Sequence, residues 1–193
     1  MKEKARLSAK KIALVAVMTA TVEGAKLALA AIPNVEAVTL LCAAYGYVFG
    51  GFGLLATSLF VVIEALIWGV NTWVLSYVIH WNAVCLVFWA LGKKKVRNRL
   101  VLTVTAVILT VWFGVLTSLI DIGLFGGTYS DFGRRFAIYY TRGIVFYVVQ
   151  TVCNLILFPI AFLPFVKVLE KAKNRFIVGN NELRRFDKSG EEG

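Results

Sequence analysis

The sequence predicts an all-α integral membrane protein, a bundle of six transmembrane helices with both termini in the cytoplasm. Three observations predict it. The 193 residues are 59% hydrophobic, with a mean hydropathy of +0.76, well above the apolar share of soluble domains. The apolar residues fall into six runs, at about 12–32, 35–49, 54–68, 74–91, 100–124 and 139–166. Of the 21 Lys and Arg residues, all but Lys26, Arg134, Arg135 and Arg142 lie in three clusters at 2–11, 93–99 and 167–188. The positive-inside rule places those clusters in the cytoplasm, and two inner termini require an even number of crossings. The chain thus divides into a basic cytoplasmic N-terminus at 1–11, a membrane domain at 12–170 and a polar cytoplasmic tail at 171–193.

The first run begins after a basic stretch, as a secretory leader would. Glu23 and Lys26 interrupt its apolar core just ahead of Ala28-Leu29-Ala30, so it reads as a retained helix rather than a cleaved signal. Ala13, Ala16, Ala20, Gly24 and Ala28 share one face at spacings of three and four, which lets another helix approach closely. That neighbour is either another helix of this chain or a separate membrane subunit; the stripe fits both. Glu23 and Lys26, three apart, are expected to pair across one helical turn.

The second and third runs are short for a bilayer, which takes about 20 helical residues. Gly50-Gly51-Phe52-Gly53 between them reads as a tight turn. The fourth run opens on Trp73, Tyr77 and Trp81, an aromatic stripe with His80 beside it and Glu64, Trp68 and Asn71 on the same outer side. Such a stripe serves either as an interfacial belt or as a binding wall for a flat heterocycle. His80 is the only histidine, which excludes a multi-histidine metal site; packing is its simpler role.

The fifth run carries Thr103, Ala106, Thr110, Gly114, Thr117 and Asp121 along one face. Its threonines can bond back to their own helix, so Asp121 alone needs a further partner. The sixth carries Arg142, Phe146, Gln150 and Asn154, each four apart, a face too polar for lipid and expected to look inward. The outer stretch 126–131, with Tyr129 and Asp131, reads as a mobile loop over it.

Several classes drop out. The basic residues flank apolar runs, so the net charge of +10 reads as anchoring to anionic lipid, not as nucleic-acid binding. Cys42, Cys85 and Cys153 form no C-x-x-C pair. There is no G-x-x-x-x-G-K-[ST] phosphate loop, no H-E-x-x-H and no G-x-S-x-G, so neither an enzyme nor a resident cofactor or metal is expected. The two halves show no internal repeat, against an inverted-repeat transporter.

Three segments carry a family resemblance: Ala16-Val17-Met18-Thr19-Ala20, Ile32-Pro33-Asn34-Val35-Glu36 and Gly46-Tyr47-Val48-Phe49-Gly50. Through them, and over about residues 10–171, the chain resembles the substrate-binding S components of energy-coupling factor (ECF) transporters, which import vitamins and related micronutrients into prokaryotes. Gly51 departs from the proline many relatives carry at that turn. The resemblance implies six helices in the cell membrane, a transmembrane coupling (T) subunit and two ATP-binding subunits as partners, and docking through Ala16 and Ala20. It also implies a ligand site near the outer side. With the polar and aromatic positions already singled out, the candidate substrate-binding residues are Asn34, Glu36, Glu64, Trp68, Asn71, Trp73, Tyr77, His80, Tyr129, Asp131, Arg134, Arg142 and Gln150. Two other classes stay open: a stand-alone secondary carrier relaying protons through Glu23, Glu64 or Asp121, and a structural or regulatory membrane protein whose polar stripes only pack helices.

Overall fold

In the computed structural model, residues 2–32, 35–125 and 131–177 are described, and among them every regular element is helical. The helices are α1 (Lys2–Leu29), α2 (Val38–Phe49), α3 (Gly51–Trp68), α4 (Thr72–Lys93), α5 (Arg99–Phe125), α6 (Phe132–Leu157) and α7 (Leu163–Ile177). A π-helical segment, Phe158–Phe162, joins α6 to α7. Five helical stretches are long and apolar enough to cross a membrane: Ala9–Leu29, Gly51–Trp68, Thr72–Lys93, Arg99–Leu124 and Phe132–Asn174. They leave large side chains such as Leu66 and Leu100 on the surface, 80% and 71% exposed. A water-facing monomer does not display so much contiguous apolar surface, so this is a multi-pass helical membrane protein.

The second run differs from its expected form. Only Val38–Phe49 is helical, 12 residues, or about 18 Å against a hydrocarbon core of about 30 Å. All twelve residues are buried. The shortest helix is therefore the central one, packed most extensively on α4, with α3, α1, α7 and the π segment around it. Residues without polar side chains fill most of its surface, as burial on all sides requires. Gly46 allows the α2–α4 contact: a Cβ there would run into the Cys85 carbonyl.

The expected four-residue glycine turn also narrows. Helix α3 already starts at Gly51, and Gly50 alone makes the turn, at φ +59° with the Trp89 indole where a Cβ would stand. Only glycine meets both conditions without strain.

The last span is a 43-residue apolar path, Phe132–Asn174, longer than one crossing needs. Pro159 lies within it and has no N–H to continue the α-helical ladder; the chain widens to π geometry there and resumes as α7, one established way of absorbing such a break. At this end Lys173 donates to the Val48 carbonyl (2.6 Å), Arg97 pairs with Glu170 (2.6 Å), and Tyr47 donates to the Val96 carbonyl (3.0 Å). Residues 2–11 are helical and continuous with α1; most of the expected tail lies outside the described residues.

Gly46→Ala is expected to cost about 1–3 kcal/mol through overpacking. Gly24→Ala, with nothing within 4 Å of the added carbon, is expected to be neutral or to gain up to about 1 kcal/mol of helix propensity. Thermal melting of the two purified variants in detergent measures both.

Candidate functional site

The end of α1, the start of α2, the end of α3 and the start of α4 meet around one cavity of about 360 Å³. Its polar and aromatic lining is Lys26, Glu36, Trp68, Trp73, Tyr77, Trp81 and Gln150, with Ile32, Val35 and Val38 among the apolar wall. Trp73, Tyr77 and Trp81 fall on one side of α4 because i+4 steps nearly complete a helical turn. Asn71 starts that helix, its Oδ1 accepting from Val74 N at 3.1 Å. The rings pack edge to face, with centroids 6.5 Å apart for Trp68–Trp73, 5.2 Å for Trp73–Tyr77 and 5.5 Å for Tyr77–Trp81.

Lys26 enters this wall. Its ammonium lies 5.9, 5.3 and 5.2 Å from the ring centroids of Trp68, Trp73 and Tyr77, within cation–π range. It also donates to Glu64, which is fully buried. The expected partner was Glu23. Both Glu23 carboxylate oxygens instead lack a hydrogen-bond partner, although the side chain is buried. Glu64 reaches Lys26 from α3, 38 residues away, whereas an i, i+3 pair within one helix must bend both side chains along its surface.

Glu36 closes the floor. Its Oε2 accepts from Thr39 N (2.8 Å), and its Oε1 accepts from Thr39 Oγ1 (2.6 Å) and Asn154 Nδ2 (3.1 Å). The same Asn154 amide donates to Thr110 Oγ1 at 3.0 Å. This network joins the N-terminus of α2 to α5 and α6.

The predicted α6 stripe divides. Gln150 lines the cavity and Asn154 is fully buried, but Phe146 and Arg142 are exposed. Residues four apart advance 40° beyond a full turn, so three such steps drift by about 120°; one neighbour cannot cover all four. Asp131 and Arg134, at the start of α6, are also exposed and away from the cavity lining. Among the described residues no ion pair joins Asp131 to Arg134, Arg135 or Arg142. His80 is buried behind the wall, against Trp81 (4.6 Å) and Phe113 (4.7 Å). Asn34 and Tyr129 lie outside the described residues.

The α5 face turns inward, and Thr110 and Thr117 bond back to the carbonyls of Ala106 and Phe113. On α1, Val15, Met18, Thr19 and Val22 are buried while Ala13, Ala16, Ala20, Gly24 and Ala28 are all exposed. The small-residue stripe therefore does not pack within the described chain. Thr19, between the two alanines, faces inward and donates to the Ala56 carbonyl at 3.1 Å.

A second cavity, also about 360 Å³, lies between the α4–α5 connection and α7, lined by Arg97, Arg99, Lys167 and Glu170. Its Arg97 is already paired with Glu170. The aromatic cavity is the stronger candidate because buried polar groups from several elements converge on it. Among the described residues no three His, Cys, Asp or Glu side chains converge as metal ligands. Comparisons with protein-family models, with curated proteins and with solved structures give no match for this chain.

Lys26→Met leaves Glu64 as a buried carboxylate without its cation, which is expected to cost about 3–5 kcal/mol. Lys26→Met combined with Glu64→Gln should recover most of that loss. Denaturation of the two variants in detergent checks the pairing; equal losses would sink it.

Proposed function

We propose that the chain is the substrate-binding membrane subunit of an ECF-type importer in a prokaryotic cell membrane. It captures a vitamin or related micronutrient from outside, and ATP hydrolysis in partner subunits drives release inward. The observation that carries this reading is the two-sidedness of α1: Lys26 faces an aromatic cavity, while Ala16, Ala20 and Gly24 form an open face on the other side. The first face suits a small ligand; the second suits close approach of a membrane helix from another subunit.

On this reading the chain crosses the membrane six times, with α2 as a short crossing shielded from lipid by its neighbours. Both termini and the three basic clusters lie in the cytoplasm, and the cavity opens at the opposite end. The partners are a transmembrane coupling subunit and two ATP-binding subunits, which fits a sequence without a phosphate loop. The segments around Ala16, Glu36 and Gly46 that resemble S components support the same assignment.

The test is uptake of a labelled vitamin panel in cells expressing the chain with or without a coupling subunit and its ATP-binding pair. Accumulation should require the partners and ATP. Ala16→Leu with Ala20→Leu should lower uptake by about tenfold or more, since a close helix contact has no room for the added carbons, while binding to the purified chain is retained. Uptake by the chain alone would instead establish a stand-alone carrier. Unchanged uptake by the double variant would remove the docking role.

A further inference from the structure

The charge balance of the aromatic cavity narrows the class of ligand, resting on the reading above only in that this cavity binds one. Four ionisable side chains lie in or near it. Lys26 and Glu36 line it, Glu64 lies buried against Lys26, and Glu23 lies one turn before Lys26 on α1. Lys26 and Glu64 cancel. That leaves Glu36 as a lining acid with no cation paired to it, and among the described lining residues Lys26 is the only cation.

Three donors converge on the Glu36 carboxyl, Thr39 N, Thr39 Oγ1 and Asn154 Nδ2, and such donors favour its ionised form, as a cation beside it would. Glu23 has both oxygens buried without a hydrogen-bond partner. A carboxyl in so dry a setting is ionised only beside a positive counterpart, which a cationic ligand would supply to Glu36. The rings point the same way. Three of them already surround the Lys26 ammonium at 5.2 to 5.9 Å, so the wall accepts a cation against its electron-rich faces. Trp81 adds a buried donor: it lines the cavity, is 4% exposed, and its Nε1 has no acceptor.

We propose that the cavity binds a flat organic cation, an aromatic or heteroaromatic ring carrying positive charge and at least one hydrogen-bond acceptor. The ring lies along Tyr77 and Trp81, the charge is directed toward Glu36, and the acceptor takes the Trp81 N–H. An anionic ligand would meet the Glu36 carboxyl with only Lys26, already committed to Glu64, to receive it. A volume of about 360 Å³ suits one or two rings.

Three soluble probes of nearly equal shape test this: 3-carbamoyl-1-methylpyridinium as cation, 3-methylbenzamide as its neutral counterpart and 3-carbamoylbenzoate as anion. Binding to the purified full chain is followed by tryptophan fluorescence and calorimetry. The cation should bind about tenfold tighter than the neutral probe, the anion most weakly. Glu36→Gln should reduce the cation's advantage to about threefold or less while leaving the neutral probe nearly unchanged. If that variant does not fold, Tyr77→Leu, which removes one ring face from the wall, should reduce the advantage in the same direction. Equal or tighter binding of the neutral or anionic probe, no binding of the cation at millimolar concentration, or an advantage unaffected in the folded variants would overturn the proposal. Partner-dependent uptake does not enter this test. Loss of cation preference leaves the importer reading standing, and failure of uptake leaves the cation preference standing.

Discussion

A carboxyl group buried between apolar helices has to be surrounded by hydrogen-bond partners, and Glu36 meets that condition with three donors from two distant parts of the chain. It takes one N–H from the first turn of α2, one hydroxyl from Thr39 and one amide from Asn154, 118 residues away. The first of these contacts also satisfies an amide that the start of a helix leaves unpaired, at the positive end of its dipole. The third fixes the C-terminal half of α6 against α2. Asn154 in turn holds Thr110 on α5. The members of this floor hold one another, because losing one leaves the polar groups it served desolvated and unmatched.

The same condition explains why the short helix is central. A 12-residue helix facing hydrocarbon would leave its terminal amides and carbonyls at membrane depth, which is costly. Inside the bundle its ends are answered by protein: Glu36 at the N-terminus and, at the C-terminus, Lys173, which donates to the Val48 carbonyl. Glycine at position 46 brings α4 close enough to cover the remaining side. Length, burial and capping of α2 are thus one solution to one constraint.

Local periodicity made some of this legible in the sequence and hid the rest. The long apolar runs became the long helices, and the Trp73, Tyr77, Trp81 spacing became the cavity wall, because two i+4 steps drift only about 80°. The α6 stripe failed over its N-terminal half for the same geometric reason, extended one step further. The small-residue face of α1 was visible, but whether it was covered depended on where every other helix lay. The Lys26 partner was beyond reach: Glu23 and Glu64 are chemically identical, and only tertiary packing decides between them. Glu36 was singled out, whereas its dependence on Thr39 and Asn154 joins positions that no short-range pattern links.

Helix α1 holds the site and the open face together. Its inner side is tied to α3 at two levels, by Thr19 to the Ala56 carbonyl and by Lys26 to Glu64. Its outer side between those levels presents Ala20 and Gly24. One of the two ties therefore ends in the aromatic cage itself. On the proposed reading, a cation entering the cage competes with the Lys26 ammonium for the same ring faces, and the unpartnered Glu23 carboxylate one turn away is the nearest alternative acid on α1. Because Lys26 ties α1 to α3 from inside the cage, whatever occupies the cage bears on how firmly that end of α1 is held, while the Thr19 tie and the α2 floor stand apart from it.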